Sequence, residues 1–117
     1  MKNFRDLDVW EKAHFLTLEV YKVTTSFPRE ELFGLTSQMR RATASIPSNI
    51  AEGCGRSSDP DFARFLQIAM GSSSEVEYQL LLARDLNLIS STDYARLNGQ
   101  VSEVKPMLTS LIQKVRS

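Results

Sequence analysis

The sequence predicts an all-α fold, an antiparallel up-down-up-down four-helix bundle. Three observations carry this. Apolar residues recur every three or four positions along most of the chain, the spacing of a helix with a buried face. No stretch alternates strictly between apolar and polar residues, as a half-buried strand does. Five glycines and four prolines punctuate the chain, leaving four helical segments with short connections. With 117 residues, the chain forms one domain, 1–117, long enough to bury a single core without staples.

The first helix is expected from about Asp6 to Thr25 and carries two apolar stripes. Val9, Ala13, Leu16, Val20 and Val23 form one. Leu7, Trp10, His14, Leu18 and Tyr21 form the other, roughly 140° away at about 100° per residue. Phe27-Pro28 ends this helix, because the residue before a proline avoids the helical region. The second helix is expected from about Leu35 to Gly53, after a loop through Gly34, with Thr36 or Ser37 as its cap. Small residues (Ala42, Ala44, Ser45, Ser48, Ala51) crowd it, a surface another backbone can approach closely. Pro47 cannot bond the Thr43 carbonyl and is expected to kink the helix or split it. The third helix starts at Ser58 or Asp59, with Pro60 in its first turn, and ends near Asn87. It is apolar over a wide arc. The fourth starts at Ser91 or Thr92 and carries a heptad seam: Tyr94, Leu97, Val101, Val104, Leu108, Leu111 and Val115.

Composition excludes several classes. Hydrophobic residues make up 42% and charged residues 24%, which is globular rather than disordered. No apolar run is long enough to cross a membrane. Fourteen basic residues balance fourteen acidic ones, which disfavours a strongly basic nucleic-acid binder. The N-terminus lacks the apolar run of a signal peptide, so the expected compartment is the cytosol. One cysteine, Cys54, cannot form an internal disulfide or a thiolate zinc site.

A lone bundle needs one apolar stripe on each outer helix, and the first and third helices exceed that. The expectation is therefore a homo-oligomer in which Val9, Ala13, Leu16, Val20 and Val23 of the first helix meet another copy. Chemical sites are sparse. Glu11-x-x-His14 has the spacing used in two-metal bundles, but with one histidine the second such pair is impossible, so no metal is expected. Asn49 and Glu52 share a helix face, which makes them, with Cys54, Arg40 or Arg41, candidates for a small-ligand or enzymatic site; satisfying backbone groups near Pro47 is the simpler role. A cysteine nucleophile would need a base, and His14 is the only imidazole. Arg40, Arg41 and Arg56 give residues 34–58 a net charge of +2, a patch that could attract nucleic-acid phosphates. No aromatic residues interleave with them in sequence, as single-strand binding favours. Gly53-Cys54-Gly55-Arg56 lacks the strand and third glycine of a dinucleotide fingerprint, so no cofactor is expected.

Several stretches act together as a signature. They are Phe4-Arg5-Asp6-Leu7-Asp8-Val9-Trp10, Phe27-Pro28, and Glu31-Leu32-Phe33-Gly34-Leu35-Thr36-Ser37-Gln38-Met39-Arg40-Arg41-Ala42. Ser45-Ile46-Pro47-Ser48-Asn49-Ile50-Ala51-Glu52-Gly53 and Phe65-Leu66-Gln67-Ile68-Ala69-Met70-Gly71-Ser72, with Glu75, complete it. Over residues 4–90 the chain resembles the bacterial four-helix-bundle proteins of the 23S ribosomal RNA intervening-sequence type. These are related to accessory proteins of diversity-generating retroelements. The last helix matches only in pattern. The resemblance implies an antiparallel bundle, assembly as a ring-shaped homopentamer, no enzymatic activity and no catalytic residues to carry over. Similar accessory proteins bind nucleic acid and a reverse transcriptase. The expected function is that of a non-enzymatic oligomeric assembly or binding module, with an RNA-binding ring using the basic patch as its rival.

Overall fold

A computed structural model describes residues 2–117. Among them are four α-helices and no strand: α1 (Asp8–Thr24), α2 (Ser37–Cys54), α3 (Asp59–Asp85) and α4 (Ser91–Arg116). Cross-helix contacts fix their directions. Thr24 meets Arg40 while Thr17 meets Thr43, so α1 and α2 are antiparallel. Arg41 pairs with Glu75 while Arg56 covers Phe65, and Lys105 pairs with Glu77 while Arg84 covers Tyr94. Both relations run antiparallel. Lys12–Glu103 and Glu19–Arg96 close α4 back on α1. The helices thus run up, down, up, down in a body 43 × 24 × 20 Å. Each helix packs on its chain neighbours, and α1 packs on α4, which leaves α1 and α3 at diagonal corners.

The core is the inward stripe of each helix: Leu16 from α1, Met39, Ile46 and Ile50 from α2, Leu66 and Leu80 from α3, Leu97 and Leu108 from α4, all fully buried. The heptad seam of α4 supplies its share as expected, with Leu97, Val101, Val104 and Leu108 inside. Gly53 lets α2 approach α3, since a Cβ there would lie 2.9 Å from Phe62 Cδ1 and 3.0 Å from Phe65 Cβ.

The helix ends follow local chemistry. Ser58 Oγ accepts from Asp61 N–H and caps α3; Ser90 Oγ accepts from Asp93 N–H and caps α4. Asn87, at φ 59°, ends α3 in the left-handed conformation that asparagine tolerates. There Asn87 N–H donates to the Arg84 carbonyl and Leu88 N–H to the Ala83 carbonyl, at 2.9 and 2.8 Å.

Several expectations change. The stripe assigned to a second copy is this bundle's own core: Val9, Ala13, Leu16 and Val20 are buried and Val23 is partly buried. One of two stripes on α1 must fill the interior, and periodicity gives their angular separation but not which turns inward. Of the two outcomes expected at Pro47, a kink or a split, the split does not occur: α2 runs unbroken through it. The Thr43 carbonyl it cannot bond accepts instead from Thr17 Oγ1 at 3.3 Å, so a hydroxyl on α1 supplies the missing donor. Neither Thr36 nor Ser37 caps α2. A short turn (Arg29–Glu31) and a wider helical turn (Leu32–Thr36) replace the expected loop, and Glu31 Oε1 accepts from Leu35 N–H at 3.2 Å. Cys54 is the buried last residue of α2 rather than a loop cysteine.

Candidate functional site

The three arginines do not form one patch within a subunit. Arg40 Nε donates to Thr24 Oγ1 at 2.8 Å and its Nη2 to the Tyr21 carbonyl at 3.3 Å. Its guanidinium also lies 4.9 Å from the centre of the Tyr21 ring. Arg41 points outward and pairs with Glu75 on α3 at 3.2 Å. Arg56 follows the other end of α2, about 24 Å along the helix axis from Arg40. There it bonds Glu52 at 2.8 Å and covers the Phe65 ring at 4.6 Å.

Asn49, Glu52 and Cys54 also fail to converge. Asn49 Nδ2 donates to the Ser45 carbonyl at 2.7 Å, one turn back and next to Pro47. Glu52 is exposed and committed to Arg56. The Cys54 thiol is buried, and that burial pushes its pKa up, with Lys2 acting weakly the other way. The residues around it are Lys2, Gly53, Arg56, Ser57, Ser58, Asp59 and Phe62, with no imidazole to serve as a base. His14 lies on α1 and stacks on Trp10 at 5.0 Å. With Glu11 it lines a hollow of about 440 Å³ beside α4, closed below by the Lys12–Glu103 pair. Among the described residues, no three His, Cys, Asp or Glu side chains group closely enough to hold a metal ion.

Two further features stand out, the first foreshadowed by the apolar patterning of the sequence and the second not. The first is a pair of apolar faces. On α1, Phe15 and Leu18 are 53% and 54% exposed; on α3, Ile68 and Tyr78 are exposed, as is Leu86 just past its end. The second stripe of α1 and the wide apolar arc of α3 were the signals available in the sequence. The second feature is a hollow of about 440 Å³ at the corner where α1 gives way to α2, lined by Tyr21, Leu32, Phe33, Thr36, Ser37, Arg40 and Arg41. Phe33 is 93% exposed. Thr36 is only 4% exposed, and its hydroxyl has no hydrogen-bond partner. These aromatic rings do stand beside Arg40 and Arg41, but they arrive from a different helix and turn.

The comparisons with known proteins agree on the fold. The family model described as 23S rRNA-intervening sequence protein matches residues 5–110. A crystal structure of a protein of unknown function from the S23 ribosomal protein family of Bacteroides thetaiotaomicron superposes with a TM-score of 0.80. It is 28% identical, and the match covers 89% of this chain and 97% of that one. No curated protein matches the chain.

Proposed function

The chain belongs to the 23S rRNA-intervening sequence protein family, and from that premise we propose that it acts by self-assembly rather than by catalysis. The proposed unit is a cytosolic ring of five copies. The observation that carries this reading is the pair of outward apolar faces on α1 and α3. Because those helices sit at diagonal corners, the two faces look away from each other. A subunit with two different faces on opposite sides forms head-to-tail contacts, which close into rings and permit odd numbers of copies. Phe15 and Leu18 of one copy would pack around Tyr78, near the middle of the exposed α3 face, of the next. Fully burying each such side chain stabilises by about 1.5–3 kcal/mol. The buried, protonated thiol of Cys54 and the stacked ring of His14 favour a binding role over a nucleophilic one. Arg40, Arg41 and Arg56 contribute no shared patch to a single subunit.

Light scattering tests the reading. The wild type should give a multiple of the 13.2 kDa subunit, with five copies expected. Leu18→Asp and Tyr78→Asp should each yield single subunits with unchanged helix content. Each variant keeps the face the other has lost, so mixing them should restore one contact and produce a dimer. A wild type that stays a single subunit at tens of micromolar, or variants that keep the full mass, would overturn it.

A further inference from the structure

We propose that the hollow between α1 and α2 binds a nucleoside monophosphate group, either free or at the end of a strand. The site goes beyond the assembly reading and uses neither Phe15, Leu18 nor the α3 face, although Tyr21 ends the same α1 stripe. Its size, about 440 Å³, lies within the range of small-ligand sites.

Each lining group matches one part of such a ligand. Arg40 and Arg41 are successive residues on α2, and guanidinium forks suit a phosphate's geometry and charge. Arg40 is held in place by Thr24, the Tyr21 carbonyl and the Tyr21 ring, so little freedom is lost on binding. Arg41 is tied only to Glu75, in an exposed pair that a phosphate can displace at small cost. The nearby Glu31 carboxylate is occupied in accepting from Leu35 N–H and is not among the residues lining the hollow. Phe33 offers an open ring on which a flat base can stack, with Tyr21 on the opposite helix.

The test uses the full chain in its assembled state at low ionic strength. Adenosine 5′-monophosphate, inorganic phosphate, adenosine and an RNA decamer with or without a 5′-phosphate are titrated separately. The monophosphate should bind more tightly than phosphate or adenosine alone. Phe33→Ala should weaken it by about tenfold. Arg41→Ala should lower the salt dependence of decamer binding by about one phosphate contact. Neither Phe33→Ala nor Arg41→Ala should lower the melting temperature, since both side chains are exposed, an outcome that separates ligand contact from a purely structural role. A preference for the 5′-phosphorylated decamer over adenosine monophosphate assigns the strand end as source; equal binding assigns the free nucleotide. Three results overturn the proposal. One is no saturable binding of either probe. Another is binding that Phe33→Ala and Arg41→Ala leave unchanged. The third is a change of subunit mass in Phe33→Ala, which would make that ring a protein contact.

Discussion

Individual residues show how tightly this bundle is specified. Gly53 is as large as its site tolerates: an added Cβ would overlap the Phe62 ring and Phe65 Cβ. Gly53→Ala should therefore cost about 1–3 kcal/mol through overpacking, read as a lower urea midpoint at unchanged slope. Thr17 shares its single hydroxyl proton between the Ala13 carbonyl of its own helix, 2.8 Å away, and, more weakly, the carbonyl orphaned by Pro47, 3.3 Å away. Thr17→Val keeps the shape and removes both, with an expected loss of about 1–2 kcal/mol. Cys54 titrates with a definite sign. Burial favours its neutral form, so its contribution is complete below the ordinary thiol pKa of 9.0 and is lost as pH rises through the higher folded value. Denaturant titrations above that pH should show falling stability in the wild type and a shallower fall in Cys54→Ala. Maleimide labelling of the native protein should be slow until it is unfolded.

At the scale of elements, α1 separates two roles that sequence spacing could not assign. Leu16 and Leu18 lie two residues apart on one helix, one fully buried and the other more than half exposed. Leu16→Asp should cost on the order of 4 kcal/mol by placing an unpaired charge in the core, and circular dichroism should show lost cooperativity. Leu18→Asp should leave the subunit's folding within about 0.5 kcal/mol. Four helices, the caps at Ser58 and near Ser91, and the seam of α4 were legible because each follows from neighbours a few residues away. The orientation of α1 was not, because two stripes of comparable apolar character compete for one interior. The start of α2 was legible to within two residues, but its expected hydroxyl cap was not found: Glu31 caps the preceding helical turn instead, which runs directly into α2. The hollow at Tyr21, Phe33 and Arg40 was invisible for a related reason: its parts come from α1, a connecting turn and α2, and no local period links them.

For the molecule as a whole, charge plays a small part in stability. Fourteen cations offset fourteen anions, and the pairs between helices, such as Lys12–Glu103, Arg41–Glu75 and Lys105–Glu77, are largely solvated. Exposed pairs of this kind contribute about 0–1 kcal/mol each and are screened by salt. Raising sodium chloride from about 0.1 to 1 M, where the screening length falls to about 3 Å, should move the melting temperature by only a few degrees. The apolar contacts between copies proposed above would respond in the opposite sense to nucleotide binding: salt should leave the mass intact while weakening any phosphate contact.

The hydroxyl that α1 lends to α2 has an evolutionary consequence. While position 47 is proline, position 17 is needed to complete another helix's backbone. Once that proline is exchanged for a residue with its own N–H, Thr17 is released from the task. Among relatives of this chain, threonine or serine at 17 should travel with proline at 47, and aliphatic replacements at 17 should be confined to lineages that have lost it.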